Sequence, residues 1–237
     1  ANIVPWQVLC EKKKAVLKVI PVNNNGELLI DEYKKLLSDK TKIVAVCQIS
    51  NTLGTINPVK EIVRLAKEKN KDIAVVIDGA QAIHHTKVDV RDLGADFYVF
   101  SSHKMYGPMG IGVLYGKAEL LEAMPPYQTG GDMISSVSFK GTTYNDIPMK
   151  FEAGTPNVEG AVGLAAAIDY IKAIGFDEIH KQETELLEYA TGLLEEIKGL
   201  RIIGTAKEKT GVVSFVVEVL NALDIGIMLD TNGVAVR

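Results

Sequence analysis

An α/β fold with a mainly parallel central sheet is predicted by three observations. Apolar runs of strand length alternate with helical patterns between residues 42 and 115. Two of those runs, 42–49 (K-I-V-A-V-C-Q-I) and 72–77, are nearly continuous, as strands buried on both faces are. The apolar runs also end in polar residues three times in succession: at Asn51, at Asp78 with Gln81, and at Ser101 with His103 and Lys104. One such end is ordinary loop polarity. Three point to a single site, because ligands of parallel sheets sit beyond the carboxyl ends of the strands.

Taken in order, residues 3–14 predict a short amphipathic helix opened near Pro5, a tolerated first-turn position. Residues 15–22 predict a strand, closed by the turn Asn23-Asn24-Asn25-Gly26, and Asp31 is placed to cap a helix running through Leu37. The strand at 42–49 leads into the polar loop Ser50-Asn51-Thr52-Leu53-Gly54-Thr55; an amphipathic helix follows over 59–70. The 72–77 strand ends at Asp78-Gly79-Ala80-Gln81. After it come a short helix, a strand over 96–100 and another over 110–115. A helix over 118–124 is broken by Pro125-Pro126. Residues 127–157, rich in Gly, Ser and Thr, predict a projecting hairpin of the kind that serves function or an oligomer contact. An alanine-rich helix spans 158–174 up to Gly175, and a long helix with Glu and Lys on its wet face spans 176–198. Strands at 200–203 and 212–217, a helix at 223–229 and a strand at 234–236 complete the chain. The expected organisation is a large domain over 1–157, a connecting helix over 158–175 and the start of a smaller α+β domain over 176–237.

Composition narrows the function. With 237 residues, 47% hydrophobic and 24% charged, the chain has ample core. A net charge of −4 with mixed signs leaves no basic stripe, which argues against nucleic acid as a partner. No apolar run approaches the roughly 20 residues of a membrane span, and residues 1–6 lack the charged start and apolar core of a signal peptide. Two cysteines, Cys10 and Cys47, make no disulfide framework and fit a reducing compartment, so a cytoplasmic location is expected. The chain starts without Met and stops within a strand-like pattern, which suggests an internal piece of a longer protein. His84, His85, His103 and His180 have no zinc-like spacing with the cysteines. Gly107, Gly110 and Gly112 read as a turn rather than a nucleotide loop.

The chemistry concentrates in residues 95–112, A-D-F-Y-V-F-S-S-H-K-M-Y-G-P-M-G-I-G. An apolar strand stops at two hydroxyls, an imidazole and a lysine, and a glycine-rich turn follows. Apolar walls beside an amine weaken its hold on a proton and free it for a Schiff base. Lys104 as the anchor of an aldehyde cofactor needs an anion cradle, which Ser101 and His103 offer. It also needs a carboxylate for a pyridine nitrogen, which Asp78 offers, and a donor to the ring oxygen, which Gln81 offers.

Val76-Ile77-Asp78-Gly79-Ala80-Gln81 followed by Phe97 through Pro108 resembles the class V aminotransferase group of fold-type I pyridoxal-phosphate enzymes. Within that group the chain is similar to the SUF-type cysteine desulfurases, relatives of selenocysteine lyase. Residues 1–7, 50–54, 130–134 and 151–157 support the resemblance, which covers essentially the whole chain. It implies pyridoxal 5'-phosphate carried by Lys104, with Asp78 on the pyridinium, Gln81 on the ring oxygen, and Ser101 and His103 on the phosphate. Asn51 would lie beside the substrate carboxylate and the ring oxygen. Thr155 would reach the cofactor phosphate of a second subunit, and Arg237 matches a family arginine just before the catalytic loop. The implied reaction takes L-cysteine (or L-selenocysteine) to alanine and passes sulfur through an enzyme persulfide to an acceptor protein for iron–sulfur cluster assembly, in a homodimer. The family's ring-stacking histidine, Gly-Thr-Thr phosphate loop, nucleophilic cysteine and second arginine match no position here, so this piece alone is expected to be inactive. Cys10 and Cys47 read as core thiols. A selenocysteine lyase or another class V enzyme such as a kynureninase-like hydrolase, and a non-catalytic truncated dimerising fragment, remain the alternatives.

Overall fold

Four strands make the central sheet: β1 (Ile43–Cys47), β2 (Ala74–Asp78), β3 (Phe97–Ser101) and β4 (Gly112–Gly116), in that spatial order. The first three are parallel, and β4 returns antiparallel to β3, pairing Ser101 with Gly112 and Phe97 with Gly116. The computed structural model describes residues 2–237. Cys47 pairs with Asp78 and Asp78 with Val99, so the three polar strand ends share one edge of the sheet.

Helices cover both faces. On one, α2 (Ile30–Leu36) and α3 (Val59–Lys69) pack against Val44, Val46, Val75 and Ile77. Helix α3 turns Val59, Ile62, Val63 and Ala66 inward, the i, i+3, i+4, i+7 stripe of an amphipathic helix, and Ile62 and Ala66 are wholly buried. Each of its larger apolar side chains contributes about 1.5–3 kcal/mol through that burial. Tyr33 in α2 donates its hydroxyl to the Ile62 carbonyl at 3.0 Å. On the other side, a second cluster joins Met105, next to Lys104, with Leu164 and Ile171 of α6 (Val158–Ile174) and Ile179 of α7 (Phe176–Glu195). Asn157 caps α6 by accepting from the Gly160 N–H at 2.9 Å, and Gly175 at φ +89° divides α6 from α7.

The remaining elements are α1 (Val4–Lys13), α4 (Val90–Leu93), α5 (Ala118–Ala123), the hairpin β5 (Ile134–Ser138) with β6 (Gly141–Tyr144), the antiparallel pair β7 (Leu200–Ile203) with β8 (Ser214–Val217), and α8 (Ala222–Thr231). Most of the hairpin is exposed, Val137 and Phe139 included. Among the described residues, no helix is long and apolar enough to cross a membrane.

Three expectations are corrected. Residues 15–22 form no strand; only Val22 makes a bridge, to Leu28, and Val16 and Val19 lie exposed, because no neighbouring strand pairs with this β-prone run. Residues 234–236 form no strand either, for the same lack of a partner. Asp31 lies inside the first turn of α2 rather than capping it; Leu29 holds the cap position without a side-chain bond.

Candidate active site

Asp78 closes β2 and is clamped through its backbone. Its carbonyl accepts from the Gln48 N–H at 2.9 Å, and the Gly79 N–H donates to Val99 at 2.8 Å. The carboxylate Oδ1 accepts from the Ala80 N–H at 3.0 Å. Gly79 is required by close packing: a Cβ there would lie 2.0–2.2 Å from the Tyr98 ring. That ring is fully buried and donates its hydroxyl to Gln48 Oε1 at 2.7 Å, so it has nowhere to move. Burial, then the Asp78 charge, push the Tyr98 phenol up. The same two causes raise the Cys47 thiol, which disfavours its nucleophilic thiolate form. Gln81 is half-buried, on the turn that follows Asp78.

The end of β3 supplies the lysine. Ser102–Lys104 form one turn of 3₁₀ helix; the Ser102 N–H donates to Ile111 at 3.0 Å, and its carbonyl accepts from the N–H groups of Met105 and Gly107 at 2.9 and 3.1 Å. Lys104 is half-buried and His103 exposed. Ser101 Oγ and His103 Nδ1 are hydrogen-bonded at 2.8 Å. A Cβ on Gly107 would fall 2.1 Å from Ser102 Oγ, a buried hydroxyl without a partner among the described residues. Ser101, His103 and residues 109–112 line an open depression of about 480 Å³.

Asn51 is exposed on the turn after β1. That turn is tied to the segment before β8 and to the first residue of β8: the Thr210 N–H donates to Gly54 at 3.0 Å, the Ile56 N–H to Glu208 at 2.9 Å, and the Ser214 hydroxyl to Thr52. The fold therefore brings Asn51, Asp78, Gln81, Ser101, His103 and Lys104 to one sheet edge. Thr155 is exposed, two residues before the Asn157 amide that donates to Gly110. Arg237 is exposed at the last position and makes no hydrogen bond or ion pair with the site among the described residues.

One cluster was not anticipated. His85 Nδ1 lies 2.7 and 2.8 Å from the two carboxylate oxygens of Glu183 in α7, and the His84 ring lies 3.8 Å from that of His85. Both histidines are half-buried. The paired His-His after the Asp78 turn was the signal available, but Glu183 lies 98 positions away and no spacing announces it. Burial lowers His85 and raises Glu183, disfavouring the charged form of each. Burial first, then His85 and Lys104, push His84 down to about 4 against the pull of Glu183.

A pH dependence of stability follows. Between its unfolded value of 6.5 and about 4, His84 binds a proton more readily in the unfolded chain, so its contribution is complete above pH 6.5 and lost as pH falls. His85 acts in the same direction, and Glu183, raised by burial, opposes both through the carboxylate range. Discounted for solvent screening, the net loss is about 1–2 kcal/mol. Urea unfolding at pH 7 and 4.5 measures it, and an equal loss in His84→Gln removes His84 as the source.

No group of three or more metal-ligating side chains occurs among the described residues. The family model described as aminotransferase class-V matches residues 1–237. A cysteine desulfurase of Synechococcus elongatus is 52% identical over 237 residues, all of this chain and 38% of the relative. One from Enterobacter sp. (strain 638) is 50% identical over 238 residues, all of this chain and 58% of the relative. The solved apo cysteine desulfurase of Thermococcus onnurineus superposes with a TM-score of 0.94 at 38% identity, covering 100% of this chain and 59% of that one. The chain thus spans between about two fifths and three fifths of the length of these relatives. With a match along its entire length, the chain belongs to the aminotransferase class-V family.

Proposed function

We propose that the full-length protein is a pyridoxal-phosphate-dependent cysteine desulfurase: the C–S bond of L-cysteine breaks with its electron pair left on carbon, a proton completes alanine, and an enzyme thiol takes the sulfur as a persulfide. The observation that carries this reading is the gathering of Asp78, Gln81, Ser101, His103 and Lys104 at one sheet edge, in a chain 52% identical to a cysteine desulfurase along its whole length.

The residues fit the cofactor. The Ser101–His103 pair opens onto the depression with a hydroxyl and a ring Nε2 able to serve a phosphate. Gly107 leaves room beside Ser102, whose buried hydroxyl lacks a partner. Asp78 Oδ2 receives no hydrogen bond among the described residues, which leaves it for a pyridinium N–H. When bound, pyridoxal phosphate supplies an aldehyde for amines and a ring that draws electrons from the bond to be broken. Asp78 would hold a proton on the ring nitrogen, and the backbone hydrogen bonds on either side of it fix that carboxylate without reorganisation. Gln81 would donate to the ring oxygen, and Asn51 to the substrate carboxylate. The Lys104 amine would serve as the base for the proton on the substrate α-carbon. Cys10, in α1, and Cys47, in β1 with a raised thiol, do not suit the sulfur-accepting role.

The finer reading has a large domain over 1–157, a connecting helix over 158–175 and part of a smaller domain over 176–237, in a cytoplasmic homodimer serving iron–sulfur cluster assembly. The exposed Val137 and Phe139 on the projecting hairpin support a subunit contact there, with Thr155 turned to the second subunit's site and Arg237 near the substrate. Borohydride reduction of the full-length protein with pyridoxal phosphate, followed by peptide mapping, is expected to label Lys104. A label on any other lysine overturns the assignment.

A further inference from the structure

His84 has no part in the reaction above, yet its ring stands where the Asp78 turn meets the lysine turn. Tyr106 lies two residues beyond Lys104 with φ +65°, a left-handed backbone that a bulky side chain rarely adopts. Its ring is 61% exposed, so burial does not hold it there. Two aromatic edges flank it: His84 at 6.4 Å and 80°, and Tyr170 of α6 at 5.7 Å and 75°, both within the favoured edge-to-face range. Behind His84 stands His85 at 3.8 Å, tied to both oxygens of Glu183 in α7.

We propose that His84 is a positioning residue for Lys104, acting through the Tyr106 ring and braced by the His85–Glu183 pair. The inference rests on the reading that Lys104 carries the cofactor. His84 Nδ1 is buried without a partner among the described residues, so a proton there would have no acceptor, and the ring serves as an uncharged wall. The charged and titratable groups that face it are His85 on its own turn, Lys104 and Tyr106 on the lysine turn and Glu183 on α7; beyond them, Tyr170 of α6 flanks Tyr106 and His180 acts on Glu183. A cation on His84 would oppose the charge of Lys104, so the wall both seats the lysine turn and leaves the amine without a competing charge. Through this ring the turn that carries the candidate pyridinium partner and the turn that carries the candidate anchor keep a fixed separation.

The test uses the full-length holoenzyme and reads the pH midpoint of the cofactor's visible absorption change, with the rate of borohydride reduction at Lys104. His84→Ala and Tyr106→Gly are expected to shift the midpoint by about one unit, tenfold in the proton equilibrium, and to change the reduction rate several-fold. Tyr106→Phe, which keeps the ring, is expected to retain the unsubstituted values. Tyr170→Leu, at an exposed position, removes the other flank without touching the core and is expected to shift the midpoint even where His84→Ala fails to fold. An unsubstituted midpoint in folded His84→Ala, or in both Tyr106→Gly and Tyr170→Leu, with the label still on Lys104, overturns the positioning role alone. Absence of that label from the unsubstituted protein overturns the cofactor reading and this inference with it.

Discussion

Lys104→Ala in the full-length protein is expected to lower kcat/KM for L-cysteine by at least 10²–10⁴-fold, the range for removing a general acid–base group, or about 3–5 kcal/mol in the barrier. The stability of the variant is expected to stay within about 0.5 kcal/mol of the original. These two expectations come from different features of one residue. Lys104 forms no salt bridge among the described residues and is half-buried on a single turn of 3₁₀ helix, so the fold does not depend on its charge. That turn is instead held by its backbone, through Ser102 and Ile111, and by Met105 in the core cluster with α6 and α7. A loss of activity without a loss of stability therefore reports chemistry and not damage. Steady-state alanine production and thermal unfolding of the same samples provide both readings. Undiminished turnover in Lys104→Ala would remove the lysine from the mechanism.

The parts of this fold legible from sequence are those where one local pattern had one physical solution. The runs ending at Cys47, Asp78 and Ser101 had to be buried strands, and the α3 stripe had to face them. Asp78, Gln81 and the Ser-x-His-Lys turn then fell together because parallel strands put their carboxyl ends side by side. Residues 15–22 were misread because β-propensity describes a fit to neighbours, and this run has a single bridge in place of a ladder. The pairing of His85 with Glu183 was out of reach for the opposite reason: both residues are unremarkable locally, and only the docking of α7 beside the Asp78 turn joins them. The same holds for the seating of the Asn51 turn on the segment before β8. Local patterns specify elements, whereas contacts between distant elements finish the site.

At the opposite edge of the sheet, Asp96→Ala is expected to cost about 3 kcal/mol of folding stability, toward the lower end for breaking a buried ion pair. Asp96 is almost wholly buried just before β3. Its Oδ2 accepts from the Val75 N–H at 2.7 Å and lies 2.6 Å from Lys67 Nζ, while Oδ1 accepts from Lys117 Nζ at 2.7 Å. Burial works to raise this carboxyl, but the donations from Lys117, Lys67 and Val75 outweigh it and hold the group below its ordinary value. Truncation leaves a buried N–H without an acceptor and two ammonium groups facing one another across the gap. Both lysines keep some access to water, 27% and 33% of their side chains, and can turn outward, which limits the penalty. Asp96→Asn keeps one acceptor oxygen for Val75 but loses the charge and sets an NH2 donor against Lys117 Nζ, so it is expected to cost less than Asp96→Ala while staying well below the original. Because the folded carboxyl is depressed, its contribution is present above the unfolded value and lost as pH falls through the folded one, so the deficit of Asp96→Ala narrows in acid. Replacing all three residues with apolar ones, as in Asp96→Ala, Lys67→Met, Lys117→Met, is expected to restore much of the loss by removing the stranded charges. Urea unfolding of the single, conservative and triple variants separates these contributions. A single variant as stable as the original would show that the lysines and the β2 backbone find other partners at no cost.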